Sequence, residues 1–543
     1  MTASMLTKIA LVCVVVAAAS TSVTAAACEQ GWLPSAEVYL DDLVSNSIGT
    51  FVNGTGGVPW ISYVMISGDD VLAKTYGINP MTGEEFEEDD MPIARMDSVT
   101  KLSITTLALI MSDKGWLRLD DPVSTYIEEF DVDWKVVRTL DTSEGEIFTV
   151  DVNLNNAPFA MNYTLEDPIR APTVRDLLYT KSGLGYPWYA LIAPSIAAGL
   201  GVDVSKMGHS HVSRALQHQA CAESDNFQRC RDAIIDLGYP HLNGAAEFAS
   251  FRKIEQGQNI TSPLTSASQL LEPLLGASVL INQPGMMQSY GMDWDVLGVV
   301  LERAYAAATG EEKRLQDIIK ELLWDPLGME DTFFFMTPGD EGYEEKLARF
   351  VYPVRPVPDA APGYTTYAET AAQNVFFSGP VAERGGDGSV STAADQAKLL
   401  KLYLDNGLTQ TGERLLRGYT VRVALEAYDD FDPAPELEKS IPYAYLIYSR
   451  MRVPAGQLGE GARNFYDRSN LNDVSGRPTD RTDGIYWVGL AGGYYTINPY
   501  EDVAMMSLVS IDTFNNGLKF GMSIDASKNL LMHTGEICTS DEN

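Results

Sequence analysis

Hydrophobic and polar positions repeat with two different periods along the chain. Residues 35–51 carry Val38, Leu40, Leu43 and Ile48 at helical spacing, which predicts an amphipathic helix. Residues 60–66 and 71–76 are apolar runs on either side of Gly68, Asp69 and Asp70, the pattern of two strands joined by a tight turn. Helical spacing returns after Ser98. Leu102, Leu107, Ile110 and Met111 give a buried face, and Lys114 before Gly115 marks a basic last turn with a left-handed stop. From Asp121 onward the pattern reads as mostly helical and loop-rich. A Gly-rich turn over 385–395 then opens a helix carrying Leu399, Leu400 and Leu402. Strand patterns return over 443–451, 484–491, 494–498 and 503–511, with a turn at 499–502, and a last helix is expected over 518–533. Together with the early hairpin these predict an antiparallel sheet of about five strands with the terminal helices packed on one face.

Composition narrows the class. The 543 residues, with 45% hydrophobic and 21% charged, are enough for a large core in one enzyme with insertions or in two or three domains. A formal net charge of −35 opposes binding to nucleic acid, because phosphate would repel the surface. The acids are scattered, with one short run over 83–90, which suits a solvated surface. Lys8, the apolar stretch 9–19 and the small residues Ala25, Ala26 and Ala27 read as a signal peptide over residues 1–27. Secretion is therefore expected, and no stable membrane insertion, since no other segment approaches a spanning length. A lipoprotein anchored at Cys28 is the alternative. Cys28, Cys221, Cys230 and Cys538 then remain as an even set, which in a secreted chain suggests disulfides and leaves three pairings open. Asn53, Asn162 and Asn259 each begin a glycosylation sequon. His209, His211 and His218 have no zinc-ligand spacing, so no metal is expected.

The chemistry centres on Ser98 and Lys101. Residues three apart share a helix face, so the Lys101 amine is placed beside the Ser98 hydroxyl. A serine hydroxyl is a weak nucleophile until a neighbour takes its proton, and a lysine does so when burial lowers its pKa. The start of the helix also favours negative charge where an acyl oxyanion would form. Alone, Ser-x-x-Lys also fits an ordinary cap serine followed by a solvated lysine.

Ser98, Val99, Thr100 and Lys101, with the run from Gly115 through Trp116, Leu117, Asp120, Asp121 and Pro122 to Ile127, resemble the serine β-lactamase-related family. That family includes class C β-lactamases, penicillin-binding-protein-like DD-peptidases, carboxylesterases and related fungal acyltransferases. Further landmarks are similar: 173–186 with its Ser182-Gly183-Leu184 turn, 324–332, and the turn 385–395. The resemblance implies an α/β (α+β) β-lactamase/transpeptidase-like fold. An antiparallel sheet with N- and C-terminal helices would occupy about 34–95 and 395–537. A mostly helical part would span about 96–394, with an insertion about 187–284. One catalytic unit would run over 28–537, with 538–543 as a tail. Residues 131–172 and 187–284 are longer than the family needs.

The resemblance also assigns roles. Tyr290, in the run 284–298, stands where the family has its proton-relaying tyrosine. Met292 stands where class C β-lactamases hold a carboxamide. Trp487, Val488 and Gly489 replace the Lys-Thr-Gly element in the form found in the esterases, and Gly489 allows close backbone approach. His533, Thr534 and Gly535 are a poorer candidate for that element, because no strand follows them. The N–H groups of Ser98 and Leu490 would form the oxyanion hole, where one donor is worth roughly 3–4 kcal/mol. Cys221 pairs with Cys230 by proximity, and Cys28 with Cys538 if the terminal helices lie side by side as in the family. With Met292 and Trp487 in place of a carboxamide and an ammonium, the expected activity is cleavage of a small-molecule carboxylic ester through a Ser98 acyl-enzyme, without cofactor. Amide turnover by a β-lactamase or D-amino-acid peptidase, transesterification, and a non-catalytic binding module are the alternatives. The sequence leaves oligomeric state open.

Overall fold

Five strands make the sheet that carries the site. The computed structural model describes residues 51–52, 55–56, 59–139, 148–154, 157–184, 279–280, 283–286, 291–356, 364–366, 375–425, 485–489, 491–498 and 502–510. In chain order its main elements are β1 (Trp60–Ser67), β2 (Asp70–Gly77), α1 (Thr100–Asp113), β3 (Lys135–Thr139), β4 (Phe148–Leu154), β5 (Ala157–Glu166), β6 (Val279–Leu280), α2 (Asp293–Thr309), α3 (Ala393–Leu404), β7 (Ile485–Val488), β8 (Tyr494–Asn498) and β9 (Val503–Leu508). The main sheet runs β7-β8-β9-β1-β2, and every neighbouring pair is antiparallel. The two ends of the chain thus interleave, with β9 registered on β1 so that Met505 faces Met65. The hairpin β1–β2 turns at Gly68, whose φ of +56 suits a residue without a Cβ. The last three strands match their sequence pattern within a few residues.

β1 is buried along nearly its whole length, so both of its faces are covered. Helix α3 packs against β9 and β1. Strand β2 is one edge of the sheet, and Val71 on it is 54% exposed. The terminal helices expected at 35–51 and 518–533, and the strand expected at 443–451, lie outside the described residues, except that Phe51 is found in a two-residue strand paired with Thr55–Gly56.

Helix α1 is the centre of the core. The sequence pattern predicts one buried face, yet every residue from Thr100 to Met111 is buried. Its polar side chains are accordingly satisfied. Thr100 Oγ1 bonds Ser389 Oγ at 2.8 Å, and Trp294 Nε1 donates to Thr105 Oγ1 at 3.0 Å. Thr106 Oγ1 reaches Leu102 O and the Tyr403 hydroxyl, each at 2.7 Å. The helix stops where expected. Gly115 has φ +77, its N–H donates to Ser112 O, and Trp116 N–H donates to Met111 O, which is a Schellman ending.

One region differs from its pattern. Residues 131–172 read as an extra stretch in a mostly helical part, but they hold three strands of a second sheet, ordered β4-β5-β3-β6. β4 alternates apolar and polar residues, Phe148-Thr-Val-Asp-Val-Asn-Leu154, and pairs along its whole length with β5. That period of two is a strand signal, and it is masked in the sequence by the turn-forming residues on each side. The chain from 187 to 278 lies outside the described residues, and with it Cys221, Cys230, Asn259, His209, His211 and His218. Cys28, Cys538 and Asn53 lie outside them too. The backbone of Asn162 is in β5, opposite Thr149. Among the described residues no helix is long and apolar enough to cross a membrane.

Candidate active site

The site begins where a short strand ends. Ala94–Arg95 pairs with Val390–Ser391, and Met96 N–H donates to Ser389 O at 3.0 Å. The backbone then turns at Asp97, whose φ is +44, into a 3-10 turn Asp97–Val99 that runs directly into α1. Aspartate is one of the few side chains tolerated in this left-handed region. The turn leaves Ser98 half-buried and carries Lys101 into the core, where it is fully buried. Lys101 Nζ donates to Ser98 Oγ at 3.2 Å. The ammonium also donates to Gly386 O and stands 5.4 Å from the centroid of the Trp294 ring. Ser98 lies within the 3-10 turn, and the N-cap position of α1 is held by Val99, so Ser98 is not the cap residue of that helix.

Burial lowers the Lys101 pKa to about 8. Asp387, Asp295 and Asp293 pull it back up, and the Arg384 guanidinium pushes it down. Arg384 and Asp387 form an ion pair beside the lysine. Asp295 is buried, and its Oδ1 accepts from Gly386 N–H at 3.1 Å. One residue, Gly386, therefore ties a carboxylate to the lysine through its N–H and its C=O. Gly386 fits because a Cβ there would come within 3.0 Å of Asp295 Oδ2.

The second wall is the turn after β7. Gly489 lies against the Ser98 turn so closely that a Cβ on it would overlap Met96 O. Gly489 N–H donates to Gly493 O at 2.6 Å, and Gly492 N–H to Gly489 O at 3.0 Å, closing the turn. Ala491 N–H donates to Asp97 Oδ2 at 2.6 Å. Trp487, opposite Tyr495 in the sheet, is half-buried against the main core. The structure thus brings Ser98, Lys101, Gly489 and Trp487 to one region. Leu490 and Tyr290 lie outside the described residues. Met292 starts α2 with its side chain in the apolar core, 4% exposed.

A buried link joins two of the landmarks. Ser182 Oγ donates to Asp293 Oδ1 and accepts from Leu184 N–H at 3.0 Å. Burial raises the Asp293 pKa well above its ordinary value. Sequence reasoning singled out neither this pair nor Asp97, Asp295, Gly386, Asp387 and Arg384 as parts of the site. The glycines of 385–388 were the available signal, and they read there as a structural turn. Among the described residues no group of three or more His, Cys, Asp or Glu is arranged to hold a metal ion.

A family model described as Beta-lactamase matches residues 247–519, just over half the chain. The span takes in Asp293, Asp295, Gly386 and the turn 489–493, and begins after Lys101. Solved structures cover more of the chain at low identity. EstCE1, described as a hydrolase with promiscuous acyltransferase activity, is 15% identical, covers 90% of this chain and 97% of its own, with TM-score 0.52. Simvastatin synthase (LovD) from Aspergillus terreus is 16% identical over 92% of this chain and 98% of its own, TM-score 0.52. An octameric penicillin-binding protein homologue from Pyrococcus abyssi is 15% identical over 92% and 77%, TM-score 0.50. No curated protein sequence matches the chain. The structural matches establish a shared β-lactamase/transpeptidase-like fold, and the family match over half its length places the chain in the beta-lactamase family.

Proposed function

We propose that the protein is a serine hydrolase that cleaves small-molecule carboxylic esters through a Ser98 acyl-enzyme. The observation that carries this reading is the Lys101–Ser98 contact of 3.2 Å, made by a lysine whose pKa is lowered to about 8. A substantial neutral fraction exists near pH 7–8, so Lys101 Nζ takes the Ser98 proton as Oγ bonds to the ester carbonyl carbon. The oxyanion forms at the start of α1, facing the N–H groups of Ser98 and, by family resemblance, Leu490. Collapse breaks the acyl C–O bond, and the proton passes to the departing alkoxide. Tyr290 is the family's relay for that proton and takes the role here by resemblance. Water then attacks the acyl carbon with the same base, releasing the acid and restoring Ser98.

Met292 and Trp487 support an ester over a β-lactam or peptide. The first places a core thioether where amide recognition needs a carboxamide, and the second replaces an ammonium suited to a carboxylate. Residues 1–27 support secretion of the mature chain. A second reading, transfer of the acyl group to an alcohol, is supported by the promiscuous acyltransferase activity of EstCE1.

The test is turnover of p-nitrophenyl acetate and butyrate by the wild type and by Ser98→Ala, with nitrocefin alongside. Ester turnover lost by at least about 10³-fold in the variant, with nitrocefin untouched, is the expected result. Rapid nitrocefin hydrolysis overturns the ester preference. Failure of all three substrates, with no labelling of Ser98 by a serine-directed phosphonate, overturns the enzyme reading. Added alcohol acceptors separate transfer from hydrolysis.

A further inference from the structure

Asp97, immediately before the nucleophile, is drawn into the same site from the opposite side. Its backbone occupies the left-handed region at φ +44, a costly conformation for a non-glycine residue. Its carboxylate is buried, and Oδ2 accepts the Ala491 N–H at 2.6 Å across 394 residues of sequence. Oδ1 stands 3.8 Å from Arg95 Nε, and the Arg95 guanidinium lies 5.5 Å from the Phe376 ring. On the far side of residue 490, Gly489 rests against Met96 O. The turn is therefore gripped on both sides of residue 490 by the two residues that precede Ser98. A charged acceptor makes such a bond stronger than a neutral one.

We infer that Asp97 is a positioning residue that latches the turn after β7 to the nucleophile turn, holding Gly489 and Ala491 in register with Ser98. The latch rests on the serine-hydrolase reading for its catalytic consequence, but its geometry does not. An oxyanion donor acts only where it meets the developing charge, so loosening the turn lowers the chemical rate more than substrate binding. The positive φ is then the conformation that aims the carboxylate at Ala491, and two substitutions separate these contributions. Asp97→Gly keeps the left-handed backbone and removes the acceptor. Asp97→Asn keeps an acceptor oxygen and removes the charge.

The experiment combines hydrogen exchange of the Ala491 amide, followed by mass spectrometry on peptides spanning 489–495, with kcat and KM for p-nitrophenyl acetate. Asp97→Gly is expected to exchange that amide at least about tenfold faster and to lose about ten- to a hundredfold in kcat, with KM within about twofold. Asp97→Asn is expected to recover both to within about threefold. Wild-type exchange and kcat in Asp97→Gly overturn the latch. So does an Asp97→Asn variant as impaired as Asp97→Gly, since the acceptor would then not be the operative feature. A wild type that neither turns over the ester nor takes the phosphonate, while Ala491 exchange still depends on Asp97, overturns the hydrolase reading and upholds the latch.

Discussion

The Lys101 ammonium and the Gly386 carbonyl meet in the core although 285 residues separate them. The same peptide segment offers its Gly386 N–H to Asp295, so a lysine on α1, a carboxylate on α2 and the turn before α3 form one chain of hydrogen bonds. Lys101 is thereby held beside Ser98 with a fixed partner of its own, and the hydroxyl is a second acceptor rather than the only one.

That environment sets a pH profile. Burial lowers the Lys101 pKa to about 8 against the pull of Asp387. The neutral amine is the base, so kcat/KM for p-nitrophenyl butyrate is expected to rise with pH through about 8. Asp387→Asn removes a charge that holds the proton on, and it releases Arg384, which pushes the same way. The rising limb is expected to move to lower pH in that variant. A limb that stays in place or moves up contradicts the assignment of Lys101 as the base.

The same shift appears in stability. Lys101 titrates near 10.5 when unfolded and near 8 when folded, so between these values the unfolded chain binds more protons. Wild-type stability therefore carries a constant deficit below about pH 8 and recovers it as pH rises toward 10.5. At 1.36 kcal/mol per unit the recovery by pH 10 is about 2–3 kcal/mol. Lys101→Met lacks this contribution. Denaturant midpoints at pH 7 and pH 10 are expected to show the wild type gaining that much relative to the variant, and equal gains would contradict it.

The parts of this arrangement that were legible in the sequence are those encoded locally. The hairpin β1–β2, the Ser98–Lys101 spacing, the glycine stop of α1 and the strands β8 and β9 each follow from neighbouring residues. Asp295 and Asp97 were not legible, because each acts on a backbone N–H far along the chain, and a backbone atom has no signature in sequence. The full burial of α1 was hidden for a related reason. Thr105 and Thr106 look like a polar face until Trp294 and Tyr403 arrive from other helices to satisfy them.

Asp293 gives a stability effect of opposite sign. Burial raises the pKa of its carboxyl well above the 3.8 at which it ionises in the unfolded chain. The folded state thus binds more protons above that value, and stability falls as pH rises from about 4. Asp293→Asn keeps the acceptor for Ser182 Oγ without the titration. It is expected to be more stable than wild type at pH 7, with the advantage vanishing near pH 4, as read from thermal unfolding at both values. Ser182→Ala, which removes the side-chain donor to the buried carboxyl, is expected to cost about 1–2 kcal/mol.

Gly489 and Gly493 sit at the two ends of one turn and make opposite demands. A Cβ on Gly489 would overlap Met96 O, a backbone atom that moves only if the Ser98 turn moves with it. A Cβ on Gly493 would meet Val99 Cγ2 at 3.5 Å and Leu508 Cδ1 at 3.6 Å, ordinary packing distances. Gly489→Ala is therefore expected to lower ester kcat by about a hundredfold, since displacement of about 1 Å at a catalytic turn has that effect. Gly493→Ala is expected to stay within about threefold of wild type. Kinetics on the two variants, with unfolding temperatures alongside, decide whether the close approach of Gly489 to Met96 sets the site. Equal losses in both would trace the sensitivity to the glycine turn as a whole.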